Sequence, residues 1–258
     1  ANKQRASATN VEWTVDSLSA PQTAGISEGA DVTSFTDQFA GRAKLGNRVQ
    51  KFRRDFMVSD MQEAVDSVGP AKIAQAEAKA IRELKRDIEA TIAGTQDLAV
   101  ENGAGVASQL RGLGDWLDGA AGNVPAAFQT PASSIAETGT AFSETILNNL
   151  ISSVFRVTGS ASNLMLVADT GLRRVIADFA RTTASATDNV RSVNYDGDSG
   201  SIKLSVDLYE SDHGVVSIVN GNPDCMPAVT GGVANGSGYL VNPEYYGVHE
   251  LIPMGSTR

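Results

Sequence analysis

Between Pro70 and Ala93 the apolar residues Ile73, Ala76, Ala80, Leu84, Ile88 and Ile92 recur at three- and four-residue steps. That period puts them on one stripe of a helix, which Pro70 can open because proline is tolerated in a first helical turn and which Gly94 stops. Lys72, Lys79, Arg82, Lys85 and Arg86 are interspersed with Glu77, Glu83, Asp87 and Glu89, so opposite charges meet at helical spacing. At about 1.5 Å per residue the rod would be about 36 Å long. A stripe so narrow on a rod so long cannot form the centre of a core. The helix is expected to lie across a sheet and leave much of its charged surface free for neighbours.

The flanking sequence reads differently. Residues 1–30 are rich in Ala, Ser, Thr and Gln around one alternating piece, VEWTVDSL, whose Val11, Trp13 and Val15 would share a strand face. So small a stripe cannot make a core, and the segment reads as an arm. From Asn47 to Val58 the alternation is broken, which suggests extended chain with little continuous buried face. A short helix is expected after Ser59 and Asp60, with a capping-box-like start at Asp60 three residues before Glu63, and with Met61, Ala64, Val65 and Val68 on one side. Leu98 to Thr140 is dominated by small residues, with anchors only in QLRGLGDWL. A long irregular stretch of this kind usually serves function or assembly.

Thr140 to Val157 returns to helical period, with Phe142, Ile146, Leu147, Leu150, Ile151, Val154 and Phe155 on a broad face. Asn163 to Asp169 reads as a buried strand, and Leu172 to Ala180 as a further helix. The last third alternates: Ile202, Leu204, Val206 and Leu208 in one strand, Val215 to Gly221 in the next, and final candidates within Gly238 to Ile252. The fold class is α+β.

Chemistry-bearing motifs are few. Cys225 is a single cysteine without nearby metal-ligand partners, so a reduced, intracellular chain with an incidental thiol is expected. YDGDSGS, Tyr195 to Ser201, spaces Asp196, Asp198 and Gly200 like the start of a calcium loop, but the twelfth position falls on Asp207 and a hairpin turn is the better reading. GGVANGSG and the GAG at Gly103 to Gly105 lack phosphate-cradling spacing. His213 with a serine and an aspartate would be a hydrolase set, yet no GxSxG elbow accompanies it, and His249 carries no functional argument. No cofactor or metal is expected. No apolar run reaches the roughly 20 residues needed to span a bilayer, and the first residues have no signal-peptide core. The absence of an initiator Met fits either processing or a sequence that begins at a trimmed end.

The formal charge is -9 over 258 residues, yet Arg42, Lys44, Arg48, Lys51, Arg53 and Arg54 crowd one short window. The acidic balance argues against a general nucleic-acid binder, since phosphate neutralisation supplies most non-specific affinity.

The stretch Gly46 to Gly94 resembles a family of tailed-bacteriophage major capsid proteins built on the Hong Kong 97-type fold. The likeness lies in GNRVQ, in Val58 and Ser59 entering a helix, in Ala64, Val65 and Gly69, and in ELKRDIEA. LRGLGDWL and VDLYESDHGVVSIV agree further on, while Asp118 to Phe142 is not recognisable and His213 stands where the family more often has an aromatic.

The resemblance implies an N-terminal arm at 1–30, an extended loop at 31–58, a peripheral domain with the long spine helix at 59–124 and 191–258, and an axial domain at 125–190. It implies a structural subunit without a catalytic centre. Copies would associate in hexamers and pentamers of an icosahedral shell, assembled in the bacterial host cytoplasm. Decoration, scaffolding and portal proteins would be further partners, and double-stranded DNA would be enclosed without specific binding by a neutral or acidic lumen. On this reading the six basic residues are inter-subunit contacts that lay the loop over an acidic neighbour. Another virion component, such as a tail or decoration protein, is the alternative, and a serine hydrolase the rival from another class.

Overall fold

A computed structural model describes residues 2–65, 72–103, 105–119, 121–136, 142–159, 162–179, 195–196, 201–202, 207–226 and 237–255. In chain order, the strands are β1 (Asn2–Arg5), β2 (Asn10–Val15), β3 (Ala43–Arg48), β4 (Leu164–Ala168), β5 (Tyr195–Asp196), β6 (Ser201–Ile202), β7 (Leu208–Ser211), β8 (Gly214–Asn220), β9 (Gly238–Val241) and β10 (Gly247–Glu250). The helices are α1 (Asp60–Ala64), α2 (Lys72–Ala93), α3 (Leu113–Trp116), α4 (Glu144–Thr158) and α5 (Thr170–Phe179), with short 3-10 turns at Ala126–Phe128, Ala132–Ser134 and Pro243–Tyr245.

The main core is a layer of helices on a sheet. Strand order is β7-β8-β4-β9, with β4 parallel to β8 and antiparallel to β9. β4 buries alternate residues, Leu164, Leu166 and Ala168, as its period demands. They meet Leu147 and Ile151 of α4, Leu172 and Ile176 of α5, and Val216 and Ile218 of β8. Leu147 and Ile151 are fully buried, and each such side chain contributes about 1.5–3 kcal/mol through burial. Ser143 caps α4 by accepting from Ile146 N, and Gly159 ends it with φ at 70°, a conformation suited to glycine. The Asp169 carboxylate accepts from Leu172 N at 2.9 Å and starts α5 two residues before the expected Leu172.

The expected division at 190/191 falls between strands of this one sheet. β4, from the stretch given to an axial domain, is hydrogen-bonded on both edges to strands from the last third. A cut there would expose both edges of a buried strand.

The leading residues are also more tied down than a coreless arm. β1 pairs in parallel with β10, from Asn2↔Gly247 to Arg5↔Glu250, and Ala6 N donates to Glu250 O at 2.9 Å. β2 and β3 pair antiparallel from Asn10↔Arg48 to Val15↔Ala43, forming one two-stranded ribbon with residues 16–42 as its tip. The loop expected at 31–58 and the arm expected at 1–30 are thus joined in a single hairpin. Backbone pairing at this separation leaves no mark on local periodicity.

α1 starts one residue earlier than expected, because Ser59 rather than Asp60 is the N-cap and accepts from Gln62 N. The expected start at Pro70 and the continuation to Val68 lie outside the described residues, as do the turn at 197–200 and the middle of the strand read over Ser201 to Ser211. β5 and β6 pair antiparallel, Tyr195↔Ile202 and Asp196↔Ser201, as a hairpin requires. α2 ends at Ala93 as its pattern predicts. Only Ala80 on it is buried, however, so it is not blanketed by a sheet. It meets α1 and α3, and near its end Tyr239 Oη donates to Ala93 O at 2.8 Å. Burial pushes that phenol up to about 12, which keeps it a donor.

Candidate assembly surface

The ribbon is fastened to the body at its base. Asn47 Nδ2 donates to Arg111 O at 3.1 Å, and Asn47 Oδ1 accepts from Arg111 N at 2.8 Å. Gln50 Oε1 accepts from Gln96 Nε2 at 2.8 Å and from Leu110 N at 3.1 Å, while Ser108 Oγ donates to Val49 O. GNRVQ and QLRGLGDWL, two distant motifs, are therefore halves of one hydrogen-bonded clasp. Amide side chains suit the task because each supplies donor and acceptor together. Gly112 N donates to Gln96 O at 2.8 Å, and a Cβ at Gly112 would stand 2.2 Å from Gly94 O, so only glycine fits there.

Arg111 anchors the clasp. Its side chain is 3% exposed, and its guanidinium donates to Asp97 Oδ1 at 2.8 Å and to Gly122 O at 2.5 Å while lying 4.8 Å from the Trp116 ring centre. Trp116 meets Trp13 of β2 with ring centres 5.6 Å apart. Leu45 of β3 is buried with Ala121 and Val124, against Val15 and Phe128. Asp115 Oδ2 sits 2.8 Å from Arg111 Nε without accepting a hydrogen bond, and among the described residues it is the buried side-chain oxygen left unsatisfied. Burial, reinforced by the Asp97 charge, pushes the Asp115 carboxyl up. Hydrogen bonding from Arg111 draws Asp97 down.

Beyond the base the ribbon lies open. Every residue from 16 to 42 is exposed, including Leu18, Ile26, Val32, Phe35 and Phe39, with Phe35 at 92%. Exposed apolar side chains in this density mark an interaction surface.

The basic window is largely neutralised within the chain. Arg42 Nε lies 3.4 Å from Asp16, Lys44 pairs with Glu12 across the ribbon, and Arg53 pairs with Asp55 at 3.1 Å. Arg54 donates twice to Asp87 of α2, at 2.5 and 2.7 Å, and those hydrogen bonds draw the Asp87 carboxyl down. Among the described residues no carboxylate lies within ion-pair reach of Arg48 or Lys51. The six residues do not form one open cationic patch. The projecting tip has the opposite character: between Asp16 and Gly41 it carries Asp16, Glu28, Asp31 and Asp37 and no Lys or Arg. Tallying charge by position between the ribbon strands would have found this.

His213 sits in the β7–β8 turn, stacked on Phe155 with ring centres 5.6 Å apart, and its backbone N–H donates to Ser211 Oγ. That is a turn residue packed on a helix, and among the described residues no serine hydroxyl is hydrogen-bonded to its ring. Cys225 is buried and unpaired, and burial pushes its thiol up. Among the described residues no group of three His, Cys, Asp or Glu could hold a metal, and no helix is long and apolar enough to cross a membrane.

An α+β body bearing an exposed ribbon leaves apolar surface open for association. The family comparison then narrows the class: residues 1–258 match the family model described as SU10 major capsid protein, and the chain belongs to that family of phage capsid-forming structural proteins. No curated protein matches the chain.

Proposed function

We propose that the chain self-assembles into hexamers and pentamers that close an icosahedral shell around the DNA genome of a tailed bacteriophage, in the Hong Kong 97-type manner. The observation that carries this reading is the exposed tip at 16–42: its apolar side chains are stable in a functional particle only when another copy covers them. The ribbon is the extended loop, α2 the spine helix, and the sheet layer the body of the subunit. Assembly takes place in the host cytoplasm, where scaffolding, portal and decoration proteins are the further partners. No catalytic chemistry is required of it.

Arg48 and Lys51 are the part of the basic window left to meet a neighbour. Small exposed contacts of this kind, about 0–1 kcal/mol each, gain force when repeated around a closed shell, because every formed contact raises the effective concentration for the next. DNA is held without specific contacts inside a neutral or acidic lumen, since a basic lining would retain it through many phosphate contacts.

Sedimentation and electron microscopy of the purified chain test the proposal. Closed shells or capsomers support it. A monomer that stays dispersed at high concentration overturns it, and tubes or small rings assign the chain to another virion component.

A further inference from the structure

We propose that Asn102 is a self-modifying site: the backbone nitrogen of Gly103 displaces the Asn102 side-chain amide as ammonia, and water opens the resulting ring to aspartate or isoaspartate.

The chain contains three Asn-Gly pairs, Asn102-Gly103, Asn220-Gly221 and Asn235-Gly236. The pairing matters because glycine has no Cβ to obstruct the approach of its nitrogen to the preceding side chain, and its backbone turns freely. Asn235-Gly236 lies outside the described residues. The fold treats the other two oppositely.

Asn102 and Gly103 stand at the open end of a small hairpin, with Ala99 and Gln109 paired behind them. Residues 101–103 and 105–107 are all exposed, and no atom beyond the chain neighbours lies within 4 Å of where a Cβ on Gly103 would stand. Asn102 N donates to Val106 O at 3.2 Å, which closes the turn without engaging the glycine nitrogen.

Asn220-Gly221 is restrained twice. Gly221 is buried, and its N–H donates to Ala168 O at 2.7 Å where the pairing of β4 with β8 ends. A Cβ there would stand 2.9 Å from Met226 and 3.3 Å from Val167, so the backbone has no room to turn. This nitrogen can attack only after that end of the sheet opens, and buried pairing opposes the opening.

The steps balance without an oxidant or reductant. The Gly103 nitrogen gives up its proton and bonds to Asn102 Cγ, forming a cyclic imide, while the Cγ–Nδ2 bond breaks and Nδ2 leaves with that proton as ammonia. Water then adds at either imide carbonyl and cleaves its bond to nitrogen. Each event adds a negative charge to the chain, and the isoaspartate product lengthens the backbone inside the turn that Asn102 and Val106 close.

Peptide mass spectrometry of the purified chain, held folded in mildly alkaline buffer and in parallel in concentrated urea, tests the proposal. In the folded sample Asn102 is expected to convert about tenfold faster than Asn220 or more, tenfold being what an opening cost of about 1.4 kcal/mol imposes. In urea the two rates should converge. Equal rates in the folded chain, or no conversion at Asn102, overturn the proposal, and rates that stay apart in urea trace the difference to local sequence and overturn the assignment to the fold. A second arm uses Gly103→Ile, whose branched side chain obstructs the attack. The Cβ meets open space and the φ of Gly103 lies outside the left-handed region, so the variant is expected to fold with unchanged circular dichroism. Conversion at Asn102 should all but cease in it, and conversion that continues undiminished contradicts the role given to the Gly103 nitrogen.

Discussion

In the sheet layer, Leu147 and Ile151 close against β4, α5 and β8 without help from outside. In the ribbon tip, Leu18, Ile26, Val32 and Phe35 stand in water, each at least 72% exposed. Apolar material of similar kind is therefore spent on folding in one region and left exposed in the other, where the proposed assembly would use it. The clasp around Arg111 joins the two, so the ribbon's base belongs to the folded body and, on the proposed assembly, only its tip depends on a neighbour.

Substitutions sharpen this contrast in order of effect. Leu147→Ala removes a fully buried side chain and should cost about 2–5 kcal/mol in chemical denaturation of the dissociated subunit. Arg111→Ala leaves the buried Asp115 carboxylate without its nearest cation and frees the ribbon's base; a loss of about 1–3 kcal/mol is expected. An unchanged denaturation midpoint would place the clasp outside the cooperative unit.

Asp115→Asn should act through pH. A carboxyl whose folded pKa is raised adds stability below its unfolded value, near 3.8, and loses it as pH rises through the folded value. The Asn variant should therefore compare most favourably with the parent at neutral pH and less so toward pH 4. Asp97, drawn down by Arg111, behaves oppositely: its contribution is present above 3.8 and disappears as pH falls through its folded value. A difference between parent and variant that does not vary with pH would remove the burial argument for Asp115.

Smallest in folding, and most telling, is Phe35→Ala. With the ring 92% exposed, the unfolding midpoint of the isolated subunit should not move. Assembly should weaken. A stability loss in the dissociated chain would mean the tip packs on its own body.

What could be read from residues alone follows the same division. α4 and β4 were legible because their side chains face one buried surface, so burial imposes a period on them. The end of α2 was legible from its stripe and from Gly94. The parallel pairing of Asn2 to Arg5 with Gly247 to Glu250 was not, since main-chain hydrogen bonds between exposed strands ask little of side-chain type. Cap choice between Ser59 and Asp60 turned on backbone angles that two adjacent cap formers leave open. The basic window was visible, but its partners Glu12, Asp16 and Asp87 come from a paired strand, the base of the ribbon tip and a distant helix, so its neutralisation required the fold.

Hydrogen exchange on dissociated subunits and on assembled shells tests most directly whether the body is complete alone while the tip is completed by other copies. Amides of α4, β4 and β8 should be protected in both states, and those of residues 16–42 should exchange freely in the subunit and slow markedly in the shell. Protection of 16–42 in the lone subunit, or free exchange there in intact shells, would contradict the account.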